Sequence, residues 1–150
     1  MRAIHASLLL PLFLLASPVH ADEAVEVEAA TVDLYERLNA GDAKGFGNYL
    51  LPGGFTEFNN ESAELLKLDL DFFKRAMTSG ARIDLHASDI KVNVLGKVAI
   101  ATGHRTGAIT LPDGKRIDSR MRLTMVWSQQ AGGWKLQHVH LSDTGEARRG

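Results

Sequence analysis

The spacing of hydrophobic positions changes near residue 80, and this change divides the chain into two kinds of structure. Before it, apolar side chains recur at helical spacing and predict a first helix that ends at Gly41. Asp42 is placed to cap a second, shorter helix that runs through Leu50. A third helix is predicted over Leu65 to Met77, and a short strand over Phe55 to Phe58. The positions that define the first helix are Val25, Ala29, Val32, Leu34, Tyr35 and Leu38.

Beyond Gly80 the apolar residues alternate with polar ones, which is typical of half-buried strands. Turn residues separate these strands at Gly96, at Pro112-Asp113-Gly114 and at Gly132-Gly133. The last strand, Trp134 to Ser142, carries His138 and His140 two positions apart. Helices followed by antiparallel hairpins predict an α+β fold in which the helices pack on one face of a sheet.

The N-terminal stretch has the features of a secretory signal peptide. Arg2 precedes an apolar run over Leu8 to Ala16. In Val19-His20-Ala21, Val19 and Ala21 flank His20 in the small-x-small pattern that is typical of cleavage sites. We therefore expect a cleaved signal over 1–21, a domain over 22–143 and a flexible tail over 144–150. The apolar run is about half of the roughly 20 residues needed to span a bilayer, so we expect no membrane contact after cleavage. The expected location is periplasmic or secreted.

Composition narrows the possible chemistry further. The 150 residues include no cysteine, which excludes disulfides, thiolate metal sites and cysteine nucleophiles. Without Arg2 the chain has 16 basic and 18 acidic residues, a net charge of −2 that gives no reason to expect nucleic acid as a partner.

Several short segments, taken in order, resemble the nuclear transport factor 2-like superfamily, its SnoaL-like group, and within it the association (hub) domain of calcium/calmodulin-dependent kinase II. The resemblance implies a cone-shaped α+β fold, with about three N-terminal helices packed on a strongly curved antiparallel sheet. It also implies a pocket between helices and sheet, and a convex outer face that pairs subunits into a homodimer or larger ring. The matching segments are Leu38 to Asp42, Pro52-Gly53, Phe55 to Phe58, Asp71 to Phe73, Thr124 with Val126-Trp127, Gly133 to Lys135 and His138 to Ser142.

The hub domain lines its pocket with three arginines, whose counterparts here are Arg105, Met125 and Leu141. Only Arg105 is kept, so the resemblance implies a more apolar pocket in which one guanidinium anchors a small apolar or weakly acidic ligand. The alternative for Arg105 is an ion pair on the surface or at an interface. The predicted ligand-binding residues are Arg105, Met125, Trp127, Val139, Leu141 and Tyr35, and no cofactor is expected.

Ketosteroid isomerases of the same superfamily use a carboxylate base just after the strand near Phe58. Its counterpart is Asn59, which cannot accept a proton from carbon. Glu57 is the least implausible replacement base, and Tyr35 lies about where such enzymes place a proton donor, although a tyrosine at this spacing is also typical of core packing. Three functions therefore stay open: a non-catalytic binding protein, an assembly module, and a cofactor-free isomerase, dehydratase or cyclase.

The two histidines do not by themselves predict a metal site, because zinc needs a third ligand that the spacing does not supply. Strand alternation places them opposite Val139 and Leu141, which the resemblance assigns to the pocket. We therefore expect His138 and His140 on the convex face in a structural or interfacial role. A triad of Ser142, His138 and Asp143 is discounted, because adjacent strand residues face opposite ways.

Overall fold

The computed structural model describes residues 18–145, and the side chains from residue 21 onwards. Most of the predicted signal peptide and the end of the predicted tail therefore lie outside the described residues. Within them, no helix is long and apolar enough to cross a membrane.

Three helices and six strands form the fold between residues 18 and 145. The strands are hydrogen-bonded in the order β2-β1-β6-β5-β4-β3, so the first two strands are added beside the last one. Every neighbouring pair is antiparallel except β1 and β6, which run parallel. The α+β cone expected from the sequence is confirmed, with a mixed sheet. The elements are α1 (Pro18–Ala40), α2 (Ala43–Gly47), β1 (Phe55–Asn59), β2 (Ser62–Leu68), α3 (Leu70–Thr78), β3 (Arg82–Leu95), β4 (Val98–Thr110), β5 (Arg116–Gln130) and β6 (Gly133–Asp143).

Helix α1 packs on β3 and β4 through one continuous stripe of side chains. The expected positions Leu34, Tyr35 and Leu38 belong to it, but Val25 and Val32 do not, being 65% and 37% exposed. Thr31 belongs instead, since its hydroxyl donates to the carbonyl of Val27 at 2.8 Å and is thereby satisfied inside the core. The buried stripe is Val27, Ala30, Thr31, Leu34, Tyr35 and Leu38.

The third helix is shorter than predicted. Leu65 to Leu68 form the end of β2, whose backbone pairs with β1 from Phe55 to Asn59. Helix α3 begins only after Asp69, whose carboxylate accepts from the backbone N–H of Phe72 at 2.8 Å and caps the helix. The prediction was wrong here because strand pairing, a long-range interaction, satisfies the backbone of residues that also fit a helical spacing.

Three irregularities bend the sheet. Bulges interrupt the register between Glu57 and Asn59, between Ser88 and Lys91, and between Val126 and Trp127. A bulge adds an unpaired residue to one strand and sharpens its bend and twist, which curves the sheet around α1.

Hydrogen bonds at Asn39 and Tyr49 help to hold the helical part of the chain against the sheet. The Asn39 side chain donates to the carbonyl of Leu85 at 2.8 Å and accepts from its N–H at 2.9 Å, so the end of α1 is fixed to β3. The N–H of Leu136 donates to the carbonyl of Tyr49 at 2.8 Å, which ties the segment after α2 to β6.

Candidate functional site

The inner face of the sheet, which α1 covers, is built from side chains in register across four strands. Glu57 of β1 lies beside Val139 of β6, Val139 beside Met125 of β5, and Met125 beside Ala101 of β4. The next row along the inner face contains Leu141, Leu123 and Gly103, and Arg105 pairs with Met121 one row further. The end of the inner face at Arg105 and Met121 is called the wide end of the cone below. The six predicted ligand-binding residues therefore belong to one interior, five on this sheet face and Tyr35 on the helix above it.

The deep part of this interior is filled by its own side chains. Met125 and Trp127 are fully buried, and Val139 and Leu141 are almost so. Arg105 and Glu57 are only half-buried, together with Met121 and Leu66. The part of the interior that is partly exposed to solvent is therefore the end where Arg105 and Glu57 lie, while Trp127 and Met125 are enclosed.

Tyr35 reaches this polar end from α1. Burial raises the pKa of its phenol to about 12, the Arg105 guanidinium opposes this rise, and the Glu57 carboxylate adds to it. The phenol is 7% exposed and stays protonated at neutral pH, so it can act as a hydrogen-bond donor. Tyr35 is therefore both a residue of the core and a hydrogen-bond donor.

Glu57 is the carboxyl group of the site. Burial raises its pKa, and this rise is opposed by a hydrogen bond from the Asn59 amide and by the positive charge of Arg105. The Asn59 Nδ2 donates to Glu57 Oε1 at 2.8 Å. A carboxyl group with a raised pKa in a partly apolar setting is the kind of group that accepts and returns protons in pocket enzymes.

Arg105 lies on the inner face, and it forms no ion pair with the residues that the structure describes. Its Nε donates to Ser119 Oγ at 3.0 Å, a neutral partner on β5 that fixes the guanidinium without cancelling its charge. The guanidinium also interacts with the Tyr35 phenol through a side-chain hydrogen bond, and its planar N–H groups have a geometry that matches a carboxylate. The sequence did not indicate Ser119, because its contact depends on the β4–β5 register.

Trp127 has one unusual feature. It is fully buried, and its Nε1 has no hydrogen-bond partner among the described residues. The Tyr49 ring meets the indole edge-on, with ring centroids 6.0 Å apart. Trp127 therefore serves mainly as an apolar floor, one row beyond Met125 on the side away from Arg105.

His138 and His140 lie on the opposite face, away from Val139 and Leu141. His138 Nδ1 is 2.9 Å from the Thr56 hydroxyl, and both imidazoles lie beside the Phe58 ring, at centroid distances of 6.0 and 6.4 Å. No group of three potential metal ligands occurs within residues 18–145.

A bulge in the β5–β6 pairing turns Gln137 away from the interior. The Gln137 amide donates to Ser128 Oγ at 2.7 Å, and Leu136 occupies the buried position instead.

Two surface grooves lie away from this interior. One, of about 510 Å³, runs along the exposed side of α1, where Tyr49 donates to Asp33 at 2.6 Å. The other, of about 460 Å³, lies on the outer face of β4 and β5 near His104 and Arg122. The Arg122 guanidinium donates there to the carbonyl of Thr144 at 2.9 Å.

A family model described as SnoaL-like domain matches residues 27–144, so the chain belongs to the SnoaL-like family. The association domain of CaMKII from C. elegans is similar in structure, with a TM-score of 0.65 at 16% identity over 84% of this chain and 99% of that one. The S. rosetta CaMKII hub gives 0.64 at 28% identity, over 79% and 95% of the two chains.

A third structure, named as a dehydratase of the NTF2-like family from Streptomyces avermitilis, gives a TM-score of 0.68 at 20% identity, over 83% and 97% of the two chains. No curated protein matches the sequence. Because assembly domains and a protein with an enzyme's name share this fold, function has to be argued from the residues of the site.

Proposed function

We propose that this SnoaL-like protein binds a small molecule with an apolar body and one weakly acidic oxygen at the wide end of its cone. The supporting observation is the convergence of Arg105, Tyr35 and Glu57 on the inner face, from three different elements, in otherwise apolar surroundings. Arg105 anchors the acidic oxygen, Tyr35 donates a second hydrogen bond, and the apolar body lies on Met121, Leu123 and Leu141.

The test is binding of small aromatic and aliphatic carboxylic acids, followed by chemical-shift changes in the protein amides. Arg105→Gln keeps the aliphatic stem of the side chain and removes the guanidinium charge, so we expect about 10- to 100-fold weaker binding, the range for a lost charge-assisted hydrogen bond. Arg116→Gln is the matched control, because Arg116 pairs with Asp118 on the exposed surface. Equal loss in both variants, or shifts confined to the outer face, would contradict the proposal.

A second candidate function, acid–base catalysis without a cofactor, is favoured by one observation. Glu57, whose pKa is raised, interacts electrostatically with Tyr35, a neutral donor, across the same interior. Such a pair can remove a proton next to a carbonyl and stabilise the resulting oxyanion. The test is exchange of the acidic C–H of a bound ketone or acid for deuterium. We expect the exchange to be lost in Glu57→Gln and reduced in Tyr35→Phe; exchange unchanged in both variants rejects catalysis.

We also propose that the chain self-associates through the outer face of its sheet. This face carries apolar side chains that are exposed in the single chain, including Phe58 at 40% and Val98 at 40%. Ile100 and Val126, half-buried, continue the apolar surface between them. The two similar CaMKII domains, one named as an association domain and the other as a hub, support this proposal. Light scattering at micromolar concentration is expected to give a dimer or larger ring, and a monomer would contradict it.

Export is proposed on the strength of the N-terminal pattern. Cleavage before Asp22 would leave α1 beginning with Asp22 and Glu23, whose carboxylates are favourable near the positive end of a helix dipole. Mass spectrometry of protein collected outside the cytoplasm is expected to find a mature N-terminus at or near Asp22. A chain that retains Met1 in that material would show that the signal is not cleaved.

A further inference from the structure

The turn between β1 and β2 contains a side chain that links the edge of the sheet to the interior carboxyl group. Asn59 Oδ1 accepts from the backbone N–H of Glu61 at 2.9 Å and from that of Ser62 at 3.1 Å. Because two donors meet this atom, it must be the amide oxygen, and the amide nitrogen is the atom that faces Glu57. Its 2.8 Å hydrogen bond to Glu57 Oε1 follows from the geometry of the turn.

We propose that Asn59 is a positioning residue, which holds one oxygen of Glu57 against the turn and leaves the other for a hydrogen-bond donor on the ligand bound beside Arg105. This rests on the proposed binding function and adds a ligand class to it. The ligand carries a carboxylate for Arg105 and, next to it, a hydroxyl or another acidic hydrogen for Glu57. A 2-hydroxy or an enolisable acid has this arrangement.

Several features of the site support this assignment. Among the described residues, the Asn59 amide is the one hydrogen-bond partner of the Glu57 carboxyl. Other charged groups act on Glu57 from a distance: Arg105 on β4, Glu61 in the turn and His138 on β6, with the phenol of Tyr35 above it. Asn59 thus holds one oxygen of the carboxyl, and Glu57 itself is only half-buried on the inner face.

The first experiment is a pH titration of the ¹³C-labelled Glu57 carboxyl in the ligand-free protein, assigned by its loss in Glu57→Gln. Asn59→Asp keeps an oxygen for the two turn N–H groups but places a negative charge against Glu57, and Asn59→Ala removes both contacts. We expect the pKa of Glu57 to rise in Asn59→Ala and to rise further in Asn59→Asp, because a donor that favours the carboxylate is lost and then replaced by a like charge.

Asn60→Asp is the matched control, because Asn60 is exposed in the same turn. The substitution adds the same charge one residue further along the chain. A pKa of Glu57 that is unchanged in the folded Asn59 variants, or that moves equally in Asn60→Asp, would overturn the positioning role. This titration uses no ligand, so its result does not depend on whether the proposed binding function holds.

The second experiment tests the ligand class with two probes that differ in one hydroxyl, mandelate and phenylacetate. We expect mandelate to bind wild-type protein about five-fold more tightly, the effect of one added hydrogen bond. This preference is expected to disappear in Asn59→Asp while the affinity for phenylacetate changes little. Equal affinities in wild-type protein, or no binding of either probe, would overturn the ligand class.

Discussion

At the scale of single residues, Glu57 is the group whose environment departs most from what its type prefers. A glutamate on an edge-proximal strand is ordinarily solvated, but here α1 and the inner face of the sheet cover most of it, and burial raises its pKa. The folded protein therefore binds a proton at Glu57 more readily than the unfolded chain does. This difference links the stability of the fold to pH.

The sign of that linkage gives a prediction. Because the folded pKa lies above the unfolded value near 4.5, Glu57 lowers the free energy of unfolding as pH rises from about 4.5 through the folded pKa. We expect Glu57→Gln to gain stability relative to wild-type protein across that window and to keep a constant advantage above it. Urea unfolding between pH 4 and 8 measures this difference. Glu64→Gln, which removes an exposed carboxylate on β2, is the control, and the same gain there would contradict the interpretation.

The histidines show how a conspicuous residue can lie outside the site. His138 and His140 stand out in the sequence, yet strand alternation places them with Phe58 and Thr56 on the outer face. The chemistry of the interior depends instead on side chains whose partners come from distant parts of the chain. Tyr35 and Arg105 are 70 positions apart in sequence and interact in the fold.

At the scale of elements, the site depends on how closely β3 approaches β4. Gly107 has a φ of 122°, and a Cβ built there would lie 2.0 Å from the carbonyl oxygen of Asp84. A side chain at this position cannot be accommodated without moving β3. Gly107 is two residues from Arg105 on the same strand, so movement of this backbone also displaces the proposed ligand anchor.

The prediction at this scale compares two glycines that share a positive φ. Gly107→Ala is expected to cost roughly 2–4 kcal/mol of unfolding free energy, since backbone strain and a clash with β3 add together. Gly114→Ala, in the β4–β5 turn, has a φ of 86° and nothing within 4 Å of the added Cβ, so only the strain of about 1 kcal/mol is expected. Denaturant unfolding of both variants checks this. Similar costs would show that the approach of β3 does not limit the substitution.

At the scale of the whole molecule, the parallel pairing of β1 with β6 gives the cone its carboxyl group. The β1–β2 hairpin precedes α3 in the chain, but it is placed beside the last strand, which brings Glu57 into the same row as Val139 and Met125. The same arrangement puts Phe58 on the outer face beside both histidines. One short strand therefore serves the interior and the proposed subunit interface.

The prediction for the assembly follows from that second role. Phe58→Asp places a charge on the outer face, and we expect it to weaken self-association at least ten-fold, because burying an unpaired carboxylate at an interface is costly. Phe72→Asp is the control: Phe72 is similarly exposed, at 43%, but lies on α3 away from this face. Sedimentation velocity over a range of concentrations measures both. Equal dissociation of the two variants would place the interface elsewhere.

The sequence by itself determined the class of fold and most elements, because these depend on local spacing, and its short segments in shared order carried the resemblance to the family. The change of period near Gly80, the cap at Asp42 and the turn at Pro112 to Gly114 are all short-range signals, and each is found in the structure. The resemblance assigned Val139 and Leu141 to the interior, and alternation along the strand, which is local, then placed the histidines on the other face.

Only the tertiary structure decided the rest. It made Leu65 to Leu68 a strand, placed Thr31 rather than Val32 in the core, and joined β1 to β6 in parallel. It also brought Asn59 to Glu57 and Ser119 to Arg105, contacts that depend on a turn geometry and a strand register. These features require backbone and side-chain partners that are distant in sequence or depend on exact geometry, and no local pattern of residues encodes them.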